Sequence, residues 1–468
     1  MATPPPSPVD APSPVGSATA NSTTVNATSS LSTAMHWRQR LQALGPGILL
    51  ATAAVGGSHI VASTQAGALF GWELLWLIVL VNVLKYPFFR FGVEYTLKRG
   101  ENLLQGYQRR GQWFLRAFFA LNLVAAVVNT AAVLLLTASL LRYFTPHDWP
   151  LPWLCGGLLL LCCVMLLAGQ YRALDRLSKI IMLALTVTTV TALVIAIGNG
   201  PVAAADYQGP SPWQLASLGF LVALMGWMPA PIEISAINSL WLEQKQRQQP
   251  VSLAHGLFDL NVGYWGTTVL AVVFLALGAL VQFGAGATIE LAGAAYADQF
   301  VRMYANTIGA WSTWLVALIA FLCMFGTTIT VLDGYARTNT VSLQLLRASK
   351  DVVQPQASPT AAQTAPSSVS DPIRTAVQQR HYAGWLIAQA ACGLGIVLFF
   401  KAALGPMLMF AMSLAFVTTP VFAWQNFQLM RREGGGLSLG MTWLSWVGLL
   451  YLTGFALLFV LWWCLWRG

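Results

Sequence analysis

Two clusters of helix-breaking and polar residues interrupt apolar stretches of this chain, and their residue types could hold a small solute or ion. Gly56-Gly57-Ser58-His59 lies inside GPGILLATAAVGGSHIVASTQAGA, and Met228-Pro229-Ala230-Pro231-Ile232-Glu233 lies inside GFLVALMGWMPAPIEISAI. Successive glycines cost a helix roughly 1 kcal/mol each relative to Ala and free the backbone for unusual angles. Pro229 and Pro231 each remove a donor and clash with the preceding turn, leaving carbonyls near Leu224–Trp227 free to face a substrate. His59 reads two ways: a packing residue bonded to a backbone carbonyl, or a ligand or proton carrier, since neutral imidazole suits transition metals. Met228 is either core filling or a soft ligand that disfavours hard cations. Glu233 is either a protonated or internally paired carboxyl supporting the broken helix, or a functional intramembrane charge. The Gly56-Gly57 pair could also serve close helix packing.

Further ionisable residues lie in other apolar stretches. Asp259, near Asn261, and Asp333 could line an ion or proton path, or cap and pair locally. Lys85 and Arg90 read as snorkelling toward the headgroups, with Glu94 placed to pair with Arg90 at (i, i+4). Thr327, Thr328 and Thr330 are expected to bond back to their own helix.

The elements that carry these residues must be membrane helices. The chain has 468 residues, 56% hydrophobic and 9% charged, with mean hydropathy +0.63. A soluble domain carries roughly 25% charged residues. Near-continuous rather than alternating apolar runs exclude an outer-membrane barrel. Eleven spans are expected, near 45–69, 72–91, 113–141, 150–169, 176–198, 213–240, 253–281, 308–331, 382–400, 402–428 and 438–465, each of roughly the 20 apolar residues needed to cross. Backbone that leaves helical geometry within a bilayer must be buried in protein or line a watery cavity. Two such breaks in separate spans point to a secondary transporter whose substrate sits between two unwound helices.

The net charge of +9 does not signal nucleic acid. With the N-terminus inside, only Arg142, Arg302, Lys401 and Arg467 fall outside, as the positive-inside rule requires. The expected location is a cytoplasmic membrane of bacterial type, with the N-terminus in the cytoplasm and the C-terminus outside. Residues 1–34, rich in Pro, Ser, Thr and Ala, lack the basic and apolar regions of a signal peptide and read as a disordered cytoplasmic tail. Residues 349–378 read as a flexible cytoplasmic loop, and 40–465 as the membrane domain. The six cysteines fall in expected spans and read as buried free thiols. No GxxxxGK[ST] loop supports ATP-driven pumping.

Gly45-Pro46-Gly47, eight residues, a four-residue break and Gln65-Ala66-Gly67-Ala68 together resemble the first helix of Nramp-family divalent-metal transporters. With Leu74-Leu75-Trp76, Met228-Pro229 and the eleven spans, the resemblance covers roughly residues 40–465. It implies an all-α fold of two inverted five-helix repeats of the LeuT type, here 45–198 and 213–428, with helices 1 and 6 broken and helix 11 (438–465) appended. The family break reads Asp-Pro-Gly-Asn, with Asp and Asn as metal ligands. Gly56 stands at the Asp position and His59 at the Asn position, and Ala230 replaces a histidine linked to proton movement. The chain therefore resembles a divergent branch.

On that resemblance the expected ligand set is His59, Met228, backbone carbonyls of both breaks including Gly56, and Glu233 as replacement negative charge. Gly57, Ser58, Pro229, Ala230 and Pro231 shape the substrate path. A His/Met pair favours Mn²⁺, Fe²⁺ or softer ions over Mg²⁺ and Ca²⁺. The expected function is transport of a divalent transition-metal cation by alternating access, with proton coupling left open by the altered acidic and imidazole positions. The alternatives are a LeuT-type carrier of a small organic solute such as an amino acid or amine, and a non-transporting metal sensor. No enzyme motif accompanies the breaks, and no cofactor, nucleic acid or obligate protein partner is expected beyond the metal ion and the bilayer.

Overall fold

The first span begins as Gly45-Pro46 dictates. Proline at the start of a helix wastes no donor, and α1 (Pro46–Ala54) runs nine residues before the glycine pair ends it. The chain then enters a π-helical turn at Gly57–Ser63 and resumes as α2 (Thr64–Phe70). In this computed structural model, residues 45–146, 149–169, 171–286, 293–351, 372–400 and 404–466 are described. The expected N-terminal tail (1–34) lies outside them, as does 352–371 of the expected loop.

The later elements are α3 (Leu75–Arg99), α4 (Leu103–Arg110), α5 (Gln112–Leu141), α6 (Leu151–Leu167), α7 (Tyr171–Asn199), α8 (Leu218–Trp227), α9 (Ile234–Gln248), α10 (Leu253–Val281), α11 (Gly293–Ile308), α12 (Thr313–Asp351), α13 (Pro372–Phe399), α14 (Leu404–Glu433) and α15 (Leu439–Trp466). The fold is all-α, with no strand among the described residues. Among the described residues, nine helices, counting α1 through α2 as one, are long and apolar enough to cross a membrane. Two more of the expected eleven spans appear as shorter apolar helices, Leu151–Leu167 and Leu215–Trp227. Several features depart from the sequence reading: Cys392 and Cys464, read as buried thiols, are exposed, and α13 begins at Pro372, inside the expected loop. Helix α12 runs on to Asp351, into the segment read as a loop. Helix α11 fills part of the stretch between the seventh and eighth spans. Helix α4 is a short amphipathic turn, started by a reciprocal Asn102–Gln105 capping box.

The broken helices sit at the centre. The most apolar stretch of Pro46–Phe70 is 89% buried, whereas those of Ile180–Asn199, Gln379–Phe399 and Leu439–Leu465 are each 28% buried. The latter are the lipid-facing rim, and they display large apolar side chains such as Leu183, Ile387 and Leu450 outward. Helix α2 packs on α10 with almost no side chain between. A Cβ on Gly67 would lie 2.0 Å from Leu275 O, and one on Gly278 would lie 2.2 Å from Thr64 O. Small residues at a membrane helix interface permit this approach of backbones. At the head of α1, the Asp259 carboxylate of α10 accepts from Gly45 N (3.0 Å) and Gly47 N (2.8 Å). A negative group there satisfies donors that a helix start leaves free.

Candidate functional site

The two breaks meet. Residues from α1, the π-helical turn and the Trp227–Pro231 segment, with neighbours from α5, α9 and α12, line a half-open cavity of about 30 Å³. Of the residues singled out from sequence, Gly57, Ser58, Pro229, Ala230 and Pro231 line it. Asn129, Trp227, Thr327 and Tyr335 complete its polar wall. His59, Met228, Glu233 and Gly56 are not among the lining residues.

His59 and Gly56 are committed to local bonds, and Met228 and Glu233 are buried. The His59 ring is fully buried. A carbonyl can only accept, so Nε2 donates to Thr267 O (2.8 Å), while Nδ1 lies 2.6 Å from Ser58 Oγ and 3.2 Å from Ala54 O. Gly56 O accepts from His59 N (3.2 Å) and Ile60 N (2.9 Å), which closes the π-helical turn. Met228 is buried with extended backbone at the end of α8. Glu233 is buried and accepts at Oε1 from Tyr335 Oη (3.1 Å), while its Oε2 has no hydrogen-bond partner. From Tyr335 a chain of bonds returns to the other end of the second break: Asn129 Nδ2 donates to Tyr335 Oη (2.7 Å), and Trp227 Nε1 donates to Asn129 Oδ1 (3.2 Å). Among the described residues, no three His, Cys, Asp or Glu side chains converge as a metal-holding group.

Asp259 and Asp333 lie away from the cavity. Asp259 caps α1, as described above. Asp333 accepts from Arg337 Nε (2.7 and 2.8 Å), Tyr382 Oη (2.7 Å) and Trp241 Nε1 (3.3 Å).

The freed carbonyls of the two half-helices find different partners. At the end of α1, Thr327 Oγ1 donates toward Thr52 O (2.9 Å), and Cys323 Sγ toward Val55 O (3.0 Å). Thr327 also bonds back to its own helix as expected, lying 3.1 Å from Cys323 O. At the end of α8, the ammonium of Lys85 donates to Met225 O (2.7 Å), Gly226 O (2.9 Å) and Ala230 O (3.4 Å). Lys85 does not snorkel: it is fully buried. Arg90 and Glu94 pair as expected, at 2.5 Å. Asn129 carried a signal in the sequence, as one of two amides, with Asn122, in an apolar run, whereas Tyr335 carried none.

Comparison with known proteins gives the fold a context. The sequence profile of the Natural resistance-associated macrophage protein-like (Nramp) family matches residues 47–351. The Uncharacterized protein PM0681 of Pasteurella multocida (strain Pm70) is 52% identical over 427 residues, covering 91% of this chain and 93% of that one. The Divalent metal cation transporter MntH of Mycobacterium tuberculosis (strain ATCC 25618 / H37Rv) is 31% identical over 157 residues, 33% of this chain and 34% of that one. Among solved structures, a mutant of the Eremococcus coleocola manganese transporter superposes with a TM-score of 0.61 at 16% identity, covering 90% of this chain and 86% of that one. Mhp1, a nucleobase-cation-symport-1 family transporter, superposes with a TM-score of 0.54 at 12% identity, covering 89% of this chain and 92% of that one. At these identities the structural likenesses speak to fold alone.

Proposed function

We propose that this chain, which belongs to the Natural resistance-associated macrophage protein-like (Nramp) family, is a secondary transporter that carries a divalent metal cation across the membrane by alternating access. The observation that carries this reading is the cavity between the two breaks, about 30 Å³ in volume. A water needs roughly 10–15 Å³ of such space, so this volume has room for an ion and a water or two.

The polar side chains on the walls are Ser58, Asn129, Thr327 and Tyr335. Hydroxyl, amide and carbonyl oxygens suit a hard cation that keeps part of its water shell. On this lining Mn²⁺ and Mg²⁺ rank ahead of softer ions, which differs from the preference a His/Met pair would give. Glu233 supplies the local negative charge, and its Oε2 is the acceptor left for an arriving cation. His59 and Met228 would enter the ligand set only in a state that rearranges their surroundings, for His59 by parting Nδ1 from Ser58 Oγ while Nε2 keeps its bond to Thr267 O. The expected inner-side excess of Lys and Arg supports an N-terminus in the cytoplasm and a C-terminus outside a cytoplasmic membrane. We assign the chain no catalytic step.

The test is Mn²⁺ uptake into proteoliposomes of purified protein, with Mg²⁺ and Ca²⁺ as competitors. Saturable uptake that Asn129→Leu lowers by about tenfold, a loss of roughly 1.4 kcal/mol, supports the reading. Failure with every divalent ion, together with uptake of a small amine or amino acid, would move the fold to organic-solute transport.

A further inference from the structure

A lysine buried in a membrane span is costly unless its ammonium is fully bonded. Lys85 meets that requirement in an uncommon way. Its three donors have three acceptors, Met225 O, Gly226 O and Ala230 O, and all of them are main-chain carbonyls. None is a carboxylate. Two belong to the last turn of the ten-residue α8, where a helix leaves its carbonyls unsatisfied and presents the negative end of its dipole. The third comes from the unwound segment just beyond. A half-helix C-terminus joined by unwound carbonyls is the geometry in which membrane transporters hold a monovalent coupling ion. Here the chain's own side chain occupies it.

The surroundings favour a permanent occupant. Lys85 projects from the middle of α3 (Leu75–Arg99) and is fully buried. On the far side of the Trp227–Pro231 backbone, Trp227, Pro229, Ala230 and Pro231 face the cavity. The ammonium therefore fixes the wall of the cavity from behind without entering it.

We propose that the carbonyls of Met225, Gly226 and Ala230 form a site for a monovalent cation of ammonium size, which the protein fills with the ε-ammonium of Lys85 in place of an exchangeable ion. The second break is then held in shape whatever the ionic composition of the medium. A chain lacking the lysine needs a cation from solution to restore the same contacts.

The experiment measures thermal unfolding of the purified full chain in detergent as wild type, Lys85→Ala and Lys85→Gln. Each is titrated with methylammonium, Na⁺ or K⁺ at constant ionic strength, with choline as a cation too large for the site. Wild type is expected to show no dependence on which cation is present. Lys85→Ala is expected to unfold at a lower temperature and to regain most of the loss, saturably, with methylammonium but not choline. Lys85→Gln keeps a donor and most of the volume, so it tests the charge should the alanine variant fail to fold. It is expected to be destabilised and to respond to the smaller cations. A Lys85→Gln protein as stable as wild type and indifferent to cations would overturn the proposal, because packing alone would then explain the lysine. So would a Lys85→Ala loss that methylammonium and choline repair equally. Unfolding reads this site whether or not the protein carries a metal ion, so failure here is distinguishable from failure of the uptake experiment.

Discussion

The two helix breaks face the same cavity but are finished with different chemistry. The carbonyls at the end of α1 are met by a hydroxyl and a thiol, Thr327 and Cys323 of α12. Those at the end of α8 are met by the ammonium of Lys85. A neutral hydrogen bond contributes about 1 kcal/mol net, and one to a charged group roughly 1.5–3 kcal/mol. The first break is therefore held by exchangeable contacts of modest strength, and the second is pinned by a charge that cannot leave without leaving carbonyls bare. Breaks that look equivalent in sequence are thus unequal in the protein. The first is suited to rearrange during alternating access, and the second to stay as the fixed wall.

The sharpest way to break this comparison is to neutralise the second cap. Lys85→Met retains the length of the side chain but strips three acceptors of their partner. The expected loss is several kcal/mol, about 1–3 kcal/mol for each carbonyl left unpaired. Thermal and denaturant unfolding of the purified protein measure it. A loss no larger than that of any first-break variant would erase the asymmetry.

Next in size is Gly57→Ala. A Cβ there would lie 2.4 Å from Cζ3 of Trp227, so the ring must move or the turn must shift. Overpacking of this kind costs about 1–3 kcal/mol. The residue and the ring both line the cavity, so Mn²⁺ uptake is expected to fall further than stability alone accounts for. Uptake and unfolding measured on the same preparation separate the two.

What the sequence made legible follows from what is local. Apolar runs marked the spans, and Gly56-Gly57 and Pro229-Ala230-Pro231 marked the breaks, because hydropathy and helix breaking are properties of neighbours in the chain. Lys85 was misread for the same reason. Its sequence surroundings, with Arg90 five residues on, resemble a basic inner flank, while its acceptor Met225 O lies 140 residues away. Likewise nothing near Asp259 indicated that it caps Gly47, 212 residues earlier. Helix α11, sixteen residues with a hydrophilic face, is too short and too mixed to register as a span. The asparagine–glutamine box that begins α4 was readable but is a small signal beside the membrane helices.

His59 extends the comparison to the turn that follows the first break. Its ligand reading and its structural reading diverge in measurable ways. If the ring braces the turn through Thr267 O and Ser58 Oγ, His59→Ala removes the tie between the turn and α10, leaves a void, and costs about 1–3 kcal/mol. Uptake then falls in proportion to the loss of folded protein. If the ring enters the ligand set during transport, the apparent affinity for Mn²⁺ weakens beyond that proportion, and Mn²⁺ no longer raises the unfolding temperature of the variant. Ligand stabilisation grows with concentration over Kd, so the second readout does not depend on reconstitution.

The smallest effect is expected at the neutral cap itself. Cys323→Ala removes the thiol from Val55 O, but Thr327 Oγ1 already stands 3.3 Å from the same carbonyl. One partner remains, so the loss is expected at about 1 kcal/mol or less. Thr327→Val removes the bond to Thr52 O as well and should cost more than Cys323→Ala while staying well below Lys85→Met. Hydrogen exchange then gives the comparison its dynamic form. Amides of the Gly57–Ser63 turn are expected to exchange faster than those at the start of α9, and Thr327→Val is expected to widen that gap. If the variant instead loosened both segments equally, the two breaks would move as one body, and the division into a fixed wall and a rearranging one would fall.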